Sequence, residues 1–202
     1  MARMAKAVRV GSKTLGRLQS RLPYLILVTD EHRLANPLAA ASEMPAGTAV
    51  LFRHYRQVGR ADLAAALAII CRQRNLKLWI AGDVKLARSV GAHGVHFPEH
   101  MIRLGRPPVP SGMILTASVH SLAALRRAEA IGVDAVLISP IFPSPSHPDR
   151  PAIGAKNFRR WVRQSGVPAY GLGGIGPSNG GQLAGSGGAG IAAITSLSGK
   201  HL

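Results

Sequence analysis

Short apolar runs, separated by longer polar or amphipathic stretches, recur along the whole of this 202-residue chain. Residues 135–138 (AVLI) are representative, because the run is short, β-branched in part and apolar throughout. Such runs are typical of strands buried on both faces of a parallel sheet. The pattern predicts eight strands, at 24–28, 48–52, 76–80, 94–97, 113–117, 135–138, 167–172 and 191–194.

Helical patterns lie between most of the predicted strands. The clearest covers 60–74, where Leu63, Leu67, Ile70 and Cys71 recur at helical spacing. Further helices are predicted at 34–43, 84–90, 122–131 and 157–164. The stretch 180–190 is too rich in glycine to predict a helix, and residues 1–20 predict at most a short one that closes one end of the domain.

Alternating strands and helices predict a parallel α/β sheet, and eight units predict a closed (β/α)8 TIM barrel. We expect residues 1–202 to form this single domain, with a reduced last helix because little sequence follows the eighth strand. An open doubly wound sheet is the alternative, but no Gly-x-Gly-x-x-Gly motif follows the first strand.

Composition narrows the functional classes. Cys71 is the only cysteine, so the sequence predicts no intrachain disulfide and no cysteine-cluster metal site, as expected of a cytoplasmic protein. No apolar run reaches the length of a membrane span, and the basic N-terminus is not followed by the apolar segment of a secretory signal. We therefore expect no membrane partner. A homodimer is compatible with the sequence, which does not determine the oligomeric state.

The formal net charge is +16, from 25 basic and 9 acidic residues, so a nucleic-acid partner has to be weighed. The basic residues are dispersed, without a dense run interleaved with aromatics and without a zinc-finger or RNP-type motif. Attraction of small phosphorylated molecules is a simpler explanation of the charge. A non-catalytic binder of a phosphometabolite or of nucleic acid stays as an alternative function.

Polar residues follow the predicted strands, and in a βα barrel the carboxyl ends of all strands meet at one mouth. The candidate site residues are Arg53, Asp83, Glu99, Ser118, His120, Ser144, Ser146, Gly173, Gly174, Thr195 and Ser196. Ser144 and Ser146 lie in a stretch, 139–154, where five prolines predict a long, stiff loop after strand six.

The last two strand ends suggest a phosphate site. Gly173 and Gly174 follow strand seven, and Thr195 and Ser196 follow strand eight, where barrels commonly bind phosphate. Glycines let backbone amides approach an anion, and a following helix would add its dipole. The alternative is that both glycines only make tight turns that need positive φ.

Six segments, in order, resemble the thiamine phosphate synthase/TenI superfamily. They cover nearly the whole chain: 24–30 (YLILVTD), 92–97 (AHGVHF, the family's DGVHL), 117–121 (ASVHS, its SxH segment), 139–144 with Gly154 (SPIFPS, its FPT loop), 168–175 (PAYGLGGI, its PVxAIGGI) and 188–194 (GAGIAAI). The resemblance implies the barrel fold and a role in thiamine biosynthesis with a thiazole phosphate as ligand.

The family contains Mg²⁺-dependent synthases, which join a pyrimidine diphosphate to a thiazole phosphate, and tautomerases, which shift a double bond in a carboxylated thiazole phosphate. Of the synthase pattern, this chain keeps Arg53 and Asp83, while Tyr55, Met101 and His147 stand where the family has a lysine, an aspartate and a lysine. A Mg²⁺–diphosphate needs carboxylates and cations together.

The resemblance therefore favours a TenI-like thiazole tautomerase without cofactor. It implies that His120 serves as acid/base, with Ser118 shaping the pocket and Glu99 as the second candidate base. The alternative is a divergent synthase in which Asp83 holds Mg²⁺ and Arg53 holds the diphosphate.

Overall fold

A computed structural model describes residues 1–9, 22–103, 105–144 and 151–197. They form a closed barrel of eight parallel strands in sequence order, with β8 paired to β1. The strands are β1 (Leu25–Val28), β2 (Ala49–Phe52), β3 (Lys77–Ala81), β4 (Gly94–Phe97), β5 (Ile114–Val119), β6 (Ala135–Ile138), β7 (Ala169–Leu172) and β8 (Gly190–Ala193). The predicted TIM barrel is confirmed.

Six α-helices surround the barrel within the described ranges: α1 (Ala2–Val8), α2 (Pro37–Ser42), α3 (Arg60–Gln73), α4 (Val84–Ser89), α5 (Leu122–Ala130) and α6 (Gly154–Gln164). Short 3-10 helices follow three strands, at Glu99–Ile102, Gly180–Leu183 and Thr195–Leu197. None of the helices in this described part combines the length and apolar character needed to cross a bilayer.

The strands are apolar because both of their faces are covered. Every residue of β1, β2, β4, β6 and β8 is buried. At the interior, the rings of Trp79 and Tyr170 meet edge to face with centroids 6.3 Å apart, and the Tyr170 hydroxyl donates to the Pro23 carbonyl at 2.6 Å. These contacts fill the barrel below the strand ends that carry the polar residues.

Capping side chains determine where several helices begin. The side chains of Asn36, Asp83 and Ser121 each accept a hydrogen bond from an amide in the first turn, of α2, α4 and α5 respectively. Helix α6 begins at Gly154, three residues before its predicted start. The amide of Gly154 donates to the Ile141 carbonyl at 2.8 Å, which ties the start of the helix to the loop after β6.

The N-terminal helix covers β8, one of the three strands that are followed only by a 3-10 helix in the described chain. Helix α1 packs against β8, β1 and the Gly180–Leu183 turn. The amides of Gly185 and Gly187 donate to the Ala7 and Val8 carbonyls, both at 3.0 Å. Helix α1 therefore lies on the barrel wall beside β8, and the expected short helix within 1–20 is present over Ala2–Val8.

Candidate functional site

A cavity of about 500 Å³ opens at the carboxyl ends of the strands. Eight of the predicted site residues line it: Arg53, Ser118, His120, Ser144, Gly173, Gly174, Thr195 and Ser196. Asp83 and Glu99 are not among its lining residues, and Ser146 lies outside the described residues. Residues chosen because they follow a strand thus mostly line one cavity. Their position in the sequence does not tell which side chains face the cavity and which are turned aside.

His120 directly follows β5, and its ring forms part of the cavity wall. Its Nδ1 lies 2.8 Å from the Ser139 carbonyl oxygen and 3.2 Å from the Ser139 hydroxyl. A carbonyl can only accept, so Nδ1 carries the hydrogen, and in the neutral ring the basic lone pair is on Nε2. The fold thereby selects the tautomer of His120.

Glu99 holds the backbone of His120. Its Oε2 accepts from the His120 amide at 3.0 Å, and its Oε1 lies 3.3 Å from Nη2 of Arg127. One carboxylate oxygen is thus engaged by the residue after β5 and the other by helix α5. Glu99 is therefore arranged to position His120, whereas its predicted role as a second base stays a prediction.

A second histidine, His96 in β4, is buried, lines the cavity and contacts Ser118. Its Nδ1 lies 2.9 Å from Oγ1 of Thr116, and its Nε2 lies 2.8 Å from Oγ of Ser118. The Thr116 hydroxyl donates to the Val95 carbonyl at 3.4 Å, so its oxygen accepts from Nδ1–H of His96. Nε2 of His96 then accepts the hydroxyl hydrogen of Ser118, which leaves oxygen lone pairs of Ser118 for a ligand.

The environment of His96 keeps that ring uncharged. Burial, and after it the charges of Arg53 and His120, lower the pKa of His96 to about 3. A neutral His96 maintains its acceptor role toward Ser118 across the physiological pH range. His96 thus fixes the direction in which the Ser118 hydroxyl points.

The two glycines after β7 are required by a close approach of two loops. Gly174 has φ of +66°, and a Cβ there would lie 2.5 Å from the Pro143 carbonyl oxygen; at Gly173 (φ +93°) a Cβ would lie 3.0 Å from Cα of Pro140. The predicted tight-turn role of these glycines is therefore present, and both also line the cavity. Any side chain at Gly174 would displace the proline-rich loop.

The loop after β7 offers backbone amides to the cavity. Asn179 braces it, because its Nδ2 donates to the Gly174 carbonyl at 2.8 Å and its Oδ1 accepts from the Gly176 amide at 2.9 Å. Among the described residues no acceptor takes the amides of Gly174 and Ile175. The hydroxyl of Ser196 donates to the Ile175 carbonyl at 2.8 Å, which joins the β8 end to the same loop.

A helix dipole contributes little at this end of the cavity. Only the 3-10 helices Gly180–Leu183 and Thr195–Leu197 follow β7 and β8 in the described chain. Single turns have few aligned peptide units, so backbone amides, rather than a helix terminus, would bind an anion here.

Two arginines meet at the β1 and β2 ends of the cavity. Nη2 of Arg53 donates to Oδ2 of Asp30, and Nη2 of Arg33 lies 3.6 Å from the same oxygen. Burial alone raises the pKa of Asp30, but the His32 amide and the Arg53 guanidinium outweigh it and lower that pKa below its ordinary value. Two guanidiniums sharing one carboxylate leave net positive charge at this wall.

Asp83, the carboxylate that this chain keeps from the synthase pattern, makes structural contacts. Oδ1 of Asp83 caps α4 by accepting from the Leu86 amide at 2.9 Å, and Oδ2 lies 3.0 Å from Nη1 of Arg60. Arg60 also donates to the Ala81 carbonyl at 2.7 Å. In the described residues no three His, Cys, Asp or Glu side chains gather in a group that could hold a metal ion. Proteins usually hold Mg²⁺ with one or two carboxylates and substrate phosphates, and here the Asp83 carboxylate is already paired with Arg60.

Two apolar groups, the Tyr55 ring and the Met101 sulfur, lie beside Gly82, and Arg60 contacts the residues on either side of it. A Cβ on Gly82 would lie 3.2 Å from the Tyr55 ring and 3.5 Å from the Met101 sulfur. Tyr55 is 45% exposed and Met101 38% exposed, so both present apolar surface beside the cavity. Tyr55 and Met101 therefore place apolar surface next to the Asp83–Arg60 ion pair.

Sequence reasoning missed several cavity residues, among them Arg33, Tyr55, His96 and Asn179. His96 carried a usable signal, since a histidine inside an otherwise apolar buried strand must find polar partners. Arg33 follows Asp30 by three residues, a spacing that would also have suggested their ion pair.

Comparisons with known proteins agree with this arrangement. A family model described as thiamine monophosphate synthase matches residues 25–197. A thiamine-phosphate synthase of Bacillus velezensis is 28% identical over 90% of this chain and 85% of that protein. One of Methanoculleus marisnigri is 31% identical over 87% of this chain and 88% of that protein.

Solved structures give the same result. A thiamine phosphate pyrophosphorylase from Pyrococcus furiosus has a TM-score of 0.75 at 25% identity, over 91% of both chains. FabK from Thermotoga maritima has a TM-score of 0.68 at 20% identity, over 92% of this chain and 62% of that one, which is a likeness of fold alone. The family match over most of the barrel, together with these relatives, shows that the chain belongs to the thiamine monophosphate synthase family of thiamine biosynthesis.

Proposed function

We propose that the cavity binds a phosphorylated thiazole and that His120 moves a proton in a metal-free isomerisation of that ring. The observation that carries the proposal is the His120 ring in the cavity wall, with Nδ1 held at 2.8 Å by the Ser139 carbonyl. This orientation keeps the basic lone pair on Nε2, and a histidine can take and return a proton near neutral pH.

The loops after β7 and β8 are suited to anchor the phosphate. They supply the amides of Gly174 and Ile175 and the polar residues Thr195 and Ser196 on one side of the cavity. A phosphate bound there leaves the ring lying toward the ends of β5 and β6, next to His120. In the isomerisation one ring position gives up a proton and another receives it, so no oxidant and no leaving group is needed.

Ser118 is proposed to orient the ring. Its hydroxyl hydrogen is directed to Nε2 of His96 at 2.8 Å, so its oxygen can accept a hydrogen bond from the ligand but has no further hydrogen to donate. On the thiazole this acceptor can hydrogen-bond the ring nitrogen only when that nitrogen carries a proton, as it can during a proton transfer.

A Mg²⁺-dependent synthase is the second candidate, and the names of the relatives favour it over the tautomerase. Arg53 on the cavity wall is the residue that would contact a diphosphate. Against this candidate stand the pairing of Asp83 with Arg60 and the apolar pair Tyr55 and Met101 near Gly82. Mg²⁺ would have to compete with a guanidinium for the Asp83 carboxylate.

Ligand binding is tested by thermal unfolding with added thiazole phosphate. Binding to the folded state must raise Tm, by an amount that corresponds to about 2.7 kcal/mol when the ligand is at 100 times its Kd. No rise in Tm at millimolar ligand would contradict the phosphate site, whichever reaction the protein performs.

The two reactions are distinguished by parallel assays on wild type and Asp83→Asn. Asparagine still caps a helix, so the variant removes the charge of Asp83 while retaining the acceptor for the Leu86 amide. The proposal expects Asp83→Asn to isomerise the carboxylated thiazole phosphate at nearly the wild-type rate. Thiamine phosphate formation that requires Mg²⁺ and is lost in Asp83→Asn would establish the synthase instead.

A further inference from the structure

The outer face of α6 carries four exposed cations, Lys156, Arg159, Arg160 and Arg163. Together with the amide side chains of Asn157, Gln164 and Gln182, they line an open trough of about 780 Å³. None of these residues lines the cavity at the barrel mouth. The trough, named here the α6 trough, is thus a separate surface feature on the barrel wall.

The positive charge of the α6 trough is not neutralised by the rest of the described chain. No described carboxylate lies within 4.0 Å of any of its four cations, and the ion pairs that form involve other arginines. On neighbouring α5, by contrast, Arg126 and Arg127 each pair with a glutamate. Within the described ranges Arg159 donates to the Ala184 carbonyl, at 3.3 Å, which leaves its charge in place.

The chemistry of the α6 trough matches phosphate oxygens. Guanidinium and ammonium groups are donors only, and the three amide side chains add further donors, while phosphate oxygens only accept. The apolar residues of α6 face the barrel, since Phe158 is buried and Trp161 and Val162 pack partly against the core. Insertion into a membrane, or the centre of a protein interface, would need such residues on the outside.

We infer that the α6 trough binds the phosphate backbone of duplex nucleic acid without reading its sequence. Residues 155–164 rise about 14 Å along the helix axis. For a helix lying along the duplex axis, this length matches roughly four phosphates of one strand, at about 3.4 Å of axial rise each. The lining residues include no aromatic side chain, which argues against stacking on single-stranded bases.

This inference revises the expectation drawn from the dispersed arginines. Lys156 and the three arginines, at 159, 160 and 163, recur at spacings of three or four residues, so they lie on one side of the helix. Part of the +16 charge is therefore concentrated on one surface, although the basic residues are dispersed along the sequence.

Fluorescence anisotropy of a labelled mixed-sequence DNA duplex, measured over a salt series, tests the proposal. With about four phosphate contacts, log Kd should change by about 3 to 4 per tenfold change in salt. The triple variant Arg159→Gln, Arg160→Gln, Arg163→Gln should lower that slope by about 3 and weaken binding at least about tenfold at low salt.

The matched control is Arg72→Gln, Arg74→Gln, Arg88→Gln, which removes the same charge from exposed positions by α3 and α4. These helices pack near β3, which lies opposite β7 in the eight-strand ring, far from α6. The control variant should show the wild-type dependence of log Kd on the logarithm of the salt concentration. Thermal melts should show that both variants are folded.

Three results would overturn the inference: no duplex binding by the wild type at about 50 mM salt, equal loss in both triple variants, or α6-dependent binding of phosphatidylserine vesicles without duplex binding. Saturating thiazole phosphate should leave duplex binding unchanged, because the mouth and the α6 trough share no residue. The outcome is thus independent of the reaction proposed for the cavity.

Discussion

Acid should destabilise this protein through His96, a buried residue whose ring nitrogens bond to hydroxyls rather than to a carboxylate. His96 is 2% exposed, and its two ring nitrogens bond to the hydroxyls of Thr116 and Ser118. Burial, then Arg53 and His120, lower its pKa from 6.5 to about 3 in the folded state. In the unfolded chain the same imidazole takes up a proton below about pH 6.5.

The size of the effect follows from these two pKa values. Because the unfolded state binds more protons below pH 6.5, stability falls as the pH drops from about 6.5 toward 3. Relative to pH 8, this one group costs about 1.4 kcal/mol at pH 5.5 and about 2.7 kcal/mol at pH 4.5. His93, whose pKa burial and then Lys77 lower, acts in the same direction, so some slope remains without His96.

Urea unfolding, followed by tryptophan fluorescence at a series of pH values, measures how the free energy of unfolding changes with pH. Trp79 is buried in the barrel, so its fluorescence changes when the barrel unfolds. His96→Gln should reduce the stability difference between pH 8 and pH 4.5 by about 2.7 kcal/mol, whatever the variant costs at pH 8. His100→Gln, at an exposed position, is the control. Equal pH slopes for wild type and His96→Gln would refute the burial argument.

Three further predictions concern the cavity. Gly174→Ala should lower the free energy of unfolding by about 1–3 kcal/mol and weaken binding of thiazole phosphate, because φ is +66° there and the Cβ would meet the Pro143 carbonyl. The control Gly181→Ala, whose Cβ meets nothing within 4 Å, should match wild type in urea melts and ligand titrations. Glu99→Gln should isomerise within about tenfold of wild type if Glu99 only positions His120; a loss of about 10²–10⁴-fold would make Glu99 the base. The Ser118→Ala variant should bind inorganic phosphate normally but lose affinity for the thiazole phosphate, as measured by calorimetry, and an unchanged affinity would remove Ser118 from ring orientation.

The barrel could be predicted because strands covered on both faces must be apolar, and apolar runs are visible in sequence. Strands β4 and β6 have their predicted bounds, and the other strands differ from prediction by one or two residues at an end. The start of α6 was missed because Gly154 has the positive φ of a loop residue yet is anchored by Ile141. The 3-10 turn at Glu99–Ile102 was missed because four residues carry no helical periodicity.

The site could be predicted only as far as strand ends determine it. Arg53, Ser118 and His120 reach the cavity because each stands at the end of its strand. Asp83 and Glu99 stand at equivalent positions, yet their carboxylates are held by arginines 23 and 28 residues away along the chain. Such partners are brought together by the fold and leave no local pattern in the sequence.

The central claim is that His120 isomerises a phosphorylated thiazole without a metal ion. The most direct test follows the carboxylated thiazole phosphate by proton NMR with wild type and His120→Asn, each in excess EDTA. The account predicts conversion by the wild type that EDTA does not change, and a rate lower by about 10²–10⁴-fold in His120→Asn, which still binds the ligand. No conversion by the wild type, or equal rates for the two proteins, would contradict it.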